Sequence, residues 1–253
     1  MRTPRDHQDN DFYIGYHRQA PAGLSRFIGR IVLAILLVAA GLAMAVPSLF
    51  QPADPGNFEF GRQREVEGVL REAPYPSLLV APDGAGSSYD LVSVGKWGAG
   101  ELAAGLDGSR VRARGTLIER AGARMLELAP QGLARTGSSL AEPEAEELGE
   151  VTLTGEIVDS KCYLGVMKPG RGAVHRDCAV RCISGGIPPV FVARTVDGKL
   201  LQLLLVDHHG GAVNQRVLDK VAEPLSITGR LSRQGGRLLL AADPSTYRRL
   251  EER

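Results

Sequence analysis

The sequence predicts a mainly β protein: one N-terminal transmembrane helix followed by two small β-barrels, the second interrupted by a Cys/His loop. Three observations lead there. A long apolar run sits near the N-terminus, two later stretches repeat the same strand pattern, and all three cysteines lie in one short segment.

Ile31 to Val46 is an uninterrupted apolar run of 16 residues. Taken from Phe27 to Phe50 it gives a helix of roughly 36 Å, enough for a bilayer core of about 30 Å. Arg2, Arg5, Arg18, Arg26 and Arg30 precede it, and the next basic residue is Arg62. The positive-inside rule then places residues 1–26 as a cytoplasmic arm, 27–50 as the span, and everything later outside the cytoplasm. In a bacterium this means the inner membrane, with the later residues in the periplasm. Ala43-Met44-Ala45 resembles a cleavage site, the competing reading, which also exports the remainder.

Two blocks follow, at 58–132 and 150–244, joined by an acidic linker at 133–149. Each opens with a strand around a glycine (Gly68, Gly155) and closes with a hairpin around another (Gly115, Gly229). In the first block the strands fall at 64–71, 77–81 and 88–94, then a helical turn at 99–105 and a hairpin at 110–129. In the second they fall at 151–158, 190–196 and 199–206, with a turn at Asp197-Gly198. Apolar spacing predicts a short helix over 211–222, ahead of the closing hairpin. This order of strands, helix and hairpin resembles the OB-fold, a five-stranded Greek-key barrel.

The paired glycines stand 47 residues apart in the first block and 74 in the second. The difference, 27, is the length from Cys162 to Pro188. The second block thus reads as the first plus a cassette, residues 161–189, between its first and second strands. In the OB-fold that loop borders the ligand-binding face.

The cassette reads KCYLGVMKPGRGAVHRDCAVRCISGGIPP. As a helix over Val174–Ile183 it puts His175, Cys178 and Cys182 on one side, with Cys162 able to fold back onto them. The pattern resembles a motif shared within a bacterial envelope family. Cys162, His175, Cys178 and Cys182 form a ligand set for zinc, copper or iron. Asp159 sits just before the cassette and could orient a ligand or simply end a strand, and His208 and His209 could approach from a later turn or form an ordinary solvated one. Alternatively, Cys162, Cys178 and Cys182 supply a disulfide, either a structural staple or an exchanging pair. Lys161, Arg176 and Arg181 are the cations expected to depress the thiols. A loop whose cysteines simply pack stays open as well.

A net charge of +1 and 5% aromatic residues speak against nucleic acid. No catalytic pattern is present, so the expectation is a non-enzymatic accessory protein. It would be anchored in the membrane and bind a metal, or a metal-containing redox partner, in maturation or electron transfer of an envelope redox system. The expected partner is another envelope protein. The alternatives are a thiol–disulfide redox protein and a non-catalytic adaptor.

Overall fold

The computed structural model describes residues 21–49, 54–80, 87–137, 145–195, 198 and 200–250. The chain divides into two units, 1–53 and 54–253. In the first unit, helix α1 (Ala22–Leu49) carries an apolar stretch, Ala22–Val46, with no burial inside the protein. At about 37 Å this stretch is long enough to cross a bilayer. A signal sequence has the same character. Most of the expected cytoplasmic arm, residues 1–20, lies outside the described residues.

The second unit holds two six-stranded sheets. The first contains β1 (Asn57–Phe58), β2 (Arg64–Arg71), β3 (Ser77–Val80), β4 (Ser87–Val92), β5 (Arg110–Arg120) and β6 (Ala123–Gly137), with helix α2 (Gly100–Ala103) between β4 and β5. Its order is β1-β5-β2-β3-β4-β6, and β6 also pairs with β5. The second contains β7 (Glu146–Asp159), β8 (Pro189–Arg194), β9 (Leu200–Val206), β10 (Leu225–Gln234), β11 (Arg237–Ala241) and β12 (Arg248–Arg249). Here β7-β8-β9-β11-β10 close into a five-stranded barrel through the β10–β11 hairpin. Each sheet contains one parallel pairing, β4–β6 in the first and β9–β11 in the second.

The repeated glycines sit where strands cross most closely. A Cβ at Gly68, Gly115, Gly155 or Gly229 would lie 2.4, 2.2, 2.2 or 2.6 Å from a carbonyl oxygen of the neighbouring strand. Only glycine permits that approach without moving backbone.

Two expectations are corrected. Residues 211–222 form no α-helix but two 3₁₀ turns, Asn214–Arg216 and Leu218–Lys220. Val213, Val217 and Val221 are still buried in the barrel core, so the apolar spacing reported burial rather than helix. The expected linker is shorter than 133–149, because β6 runs to Gly137 and β7 starts at Glu146. Residues 138–144 lie outside the described residues, as do Val196, Asp197 and Lys199 of the expected β8–β9 turn.

The cassette fills the space between the two sheets. Its helix α3 (Arg176–Ser184) has two working faces. Ala179 and Ile183 enter the barrel core beside Ile157, Phe191 and Leu205. Cys182 instead joins Cys162, Leu164 and Ile187 against Val92, Ile118 and Met125 of the first sheet. Asn214 caps the helix end, donating to the carbonyls of Ile183 and Ile187 at 2.8 and 2.9 Å. Beyond it, the Gly98 N–H donates to the Gly185 carbonyl at 2.9 Å. A Cβ on Gly98 would lie 2.3 Å from the Gly186 oxygen, and one on Gly185 would lie 2.1 Å from the Lys96 oxygen.

Tyr75 is a second strut. It leaves the first sheet, packs among Val158, Val190 and Leu204, and its hydroxyl donates to the Leu205 carbonyl while accepting from the Val213 N–H, both at 3.0 Å.

Gly98→Ala is expected to destabilise the second unit by at least about 1–3 kcal/mol, since the clash is with backbone on both sides. Tyr75→Phe leaves a buried N–H and C=O unpaired and is expected to cost about 1–3 kcal/mol. Denaturant titration of each variant measures both effects.

Candidate metal centre

The site is organised by Asp159, the last residue of β7, which is fully buried. One carboxylate oxygen accepts the Cys162 N–H at 2.8 Å, starting a helical turn over Cys162–Val166. The other oxygen meets His175 Nε2 at 3.1 Å, just before α3. One side chain therefore ties together both arms of the cassette. Between them, Glu156 accepts the Gly172 N–H at 2.8 Å and faces Arg171.

These constraints bring the three thiols together. The Cys162, Cys178 and Cys182 sulfurs lie within 4.8 Å of one another, with Cys162 and Cys182 buried and Cys178 partly exposed. A second group shares Cys162 and consists of Asp159, Cys162 and His175, all buried, again within 4.8 Å. The four residues singled out as ligands thus fall into two overlapping clusters hinged on Cys162. His175 joins the one that contains Asp159. His208 and His209 sit on an exposed turn held by Asp207, which accepts the His209 and Gly211 N–H groups. Among the described residues they join no such cluster.

The cation at the thiols comes from elsewhere in the chain. Lys96, on the loop after β4 of the first sheet, donates to Cys178 Sγ at 2.8 Å and lies 3.7 Å from Cys182 Sγ. The Cys178 contact raises the lysine above its ordinary value. Lys161 does not serve the thiols. Buried, it donates to the Ser93 and Gly95 carbonyls at 2.8 and 2.7 Å and pairs with Glu127. Arg176 is engaged with Glu223 at 2.9 Å. No local sequence signal marks Lys96, which stands 66 residues before Cys162 in a Gly-flanked turn.

The three cysteines are free thiols. The disulfide expected as an alternative for Cys162, Cys178 and Cys182 is therefore not formed: the sulfurs surround a common point instead of forming a bonded pair. Their protonation is uneven. The Cys162 thiol hydrogen-bonds Cys182 and, with Lys96 nearby and burial opposing, holds Cys182 down to about 7. Cys162 is pushed far up by that same bond, by burial and by the Asp159 charge.

The donor set fits a thiophilic ion. Tetrahedral zinc with bonds of about 2.3 Å to sulfur places sulfurs about 3.8 Å apart, against separations of no more than 4.8 Å here. Asp159 beside His175 is the carboxylate–histidine arrangement that orients an imidazole ligand. With Nε2–H donating to Asp159, Nδ1 keeps its lone pair. No protein-family model, curated protein or solved structure matches this chain, so the reading of the site stands on its own geometry.

In metal-free protein, thiolate ultraviolet absorbance is expected to rise through a transition near pH 7. Cys182→Ser should abolish it, and Lys96→Met should move it upward. The folded value lies below the ordinary 9.0. Stability from this thiolate is therefore complete above about 9 and lost as pH falls through about 7.

Proposed function

We propose that this chain is a membrane-anchored metal-binding accessory protein of the bacterial envelope. It would hold one divalent thiophilic ion, zinc by preference, on Cys162, Cys178 and Cys182, with His175 as the fourth donor. The observation that carries this reading is the convergence of three thiols beside the Asp159–His175 pair, half enclosed between two sheets. Charge favours a divalent ion. Three thiolates, the Asp159 carboxylate and the Lys96 ammonium sum to −3, so a divalent ion leaves one negative charge where Cu(I) leaves two, and an uncompensated buried charge is costly. When bound, the ion would supply charge neutralisation and a fixed thiolate geometry. The chain's own residues orient the donors: Asp159 positions the imidazole, Lys96 faces Cys178, and Lys161 anchors the loop that carries Lys96.

Within the same proposal, α1 is a retained anchor with its N-terminus in the cytoplasm, so the second unit works on the outer side. Both sheets are OB-like barrels. The second closes in the order β7-β8-β9-β11-β10, and the first repeats the matching pairings, including the parallel one. The cassette then occupies the loop between first and second strands, which OB-folds use for ligands. The protein acts beside another envelope protein, in maturation or electron transfer of a redox system.

A thiol–disulfide carrier is the second reading, favoured by the lowered Cys182 beside Lys96.

Full-length protein purified anaerobically and reduced is expected to contain one equivalent of metal by elemental analysis. Cys162→Ser, Cys178→Ser and Cys182→Ser should each weaken retention about 10–100-fold or more, and His175→Ala less. A metal-free, fully folded protein whose thiols form an exchangeable bridge on trapping would replace this reading with the second.

A further inference from the structure

Beside the cassette, between residues of the two sheets, lies a partly open cavity of about 420 Å³. That is within the range of small-molecule sites, about 300–1,000 Å³. Its wall mixes two chemistries. Val190, Leu204 and Leu238 form an apolar face, while Arg124, Arg237 and Ser160 form a polar one.

The polar groups are incompletely partnered. Ser160 is 1% exposed, and its main chain is fixed by a bond from its N–H to the Pro188 carbonyl. Among the described residues its hydroxyl is buried with no hydrogen-bond partner, as is that of Ser88, which also lines the cavity. A buried hydroxyl left unpaired costs about 1–3 kcal/mol, and an occupant of the cavity would satisfy it. Arg237 pairs with Asp90, and burial lowers it to about 10, so it remains a cation at neutral pH. Arg124 lies over the Tyr89 ring at 5.0 Å and donates to the Tyr89 hydroxyl at 3.1 Å. Among the described residues Arg124 makes no ion pair, although Glu119 stands opposite it in the β5–β6 register. Among the lining residues two guanidiniums stand against one carboxylate, and each guanidinium has five N–H donors in a planar fork suited to carboxylates.

We propose that this cavity is a binding site for a small organic monoanion, a carboxylate with an apolar body. The carboxylate lies between Arg124 and the Ser160 and Ser88 hydroxyls, and the body lies on the leucine–valine wall. The site is separate from the metal centre but shares its backbone. Ser160 and Tyr163 line the cavity, while Asp159 and Cys162 belong to the donor clusters.

The test uses full-length protein in lipid nanodiscs with butanoate as probe, and butanol and butylammonium as controls, read by saturation-transfer NMR and calorimetry. Butanoate is expected to bind saturably, one to one, at least about tenfold tighter than either control. Ser160→Val, which replaces the hydroxyl by apolar groups, and Arg124→Gln, which removes a guanidinium charge, should each weaken butanoate by at least about tenfold with metal content unchanged. Should Ser160→Val fail to fold, Arg124→Gln decides. Equal binding of butanol and butanoate, unchanged affinity in the folded variants, or no saturable butanoate binding would overturn the proposal. The metal reading stands or falls separately, on elemental analysis.

Discussion

A reciprocal pair of lysines joins the two sheets. Lys161, at the start of the cassette, is buried among the Ser93 and Gly95 carbonyls and Glu127, all in the first sheet or its loop. Lys96, on the same loop, points back to Cys178 in the cassette. Each segment thus holds the other by a charged group. The buried end is the stronger constraint, because removing one partner of a buried charged pair strands the other, at about 3–5 kcal/mol. Lys161 and the Gly98–Gly185 backbone bond together hold the loop where Lys96 reaches the thiols.

The cassette is long because it does two structural tasks at once. An α-helix presents neighbouring residues on different faces, so α3 can put Ala179 and Ile183 into the barrel and Cys182 toward the first sheet. The thiols accordingly lie at an interface, where burial strengthens electrostatic effects. Backbone meets backbone at Gly98 and Gly185, so the loop after β4 and the end of the cassette helix approach as closely as a packed core. The donors come from β7 and the cassette, and the Lys96 cation beside them from the first sheet's loop, so the thiol environment depends on how the sheets dock.

Asp159 gives the site its internal order. It accepts from Cys162 and meets His175 with its two oxygens, so one buried carboxylate sets the start of one arm and the end of the other. The same charge opposes ionisation of Cys162, while the Cys162 bond and Lys96 favour the thiolate at Cys182. The thiols are thereby made unequal before any ion arrives, and a cation entering the cluster would relieve the repulsion felt at Cys162.

Much of this was legible in the sequence. Strand positions followed from alternation and turn residues, and β2, predicted at 64–71, is observed there. The glycine spacing located the cassette between β7 and β8, because glycines that allow strands to cross are required wherever the sheet curves. The grouping of Cys162, Cys178 and Cys182 was visible because they are the only cysteines and two stand one helical turn apart. Periodicity failed over 211–222, since two successive 3₁₀ turns can bury Val213, Val217 and Val221 as a helix would. Local sequence determined the elements, the insertion and the donor types, because those depend on neighbours within a few residues. Only the tertiary structure decided that Lys96 meets the thiols, that Lys161 turns away from them, and that His175 keeps company with Asp159. The two lysine choices depend on how two sheets pack across more than sixty residues, and the His175–Asp159 contact on how the cassette folds back over sixteen, and no short-range pattern records either.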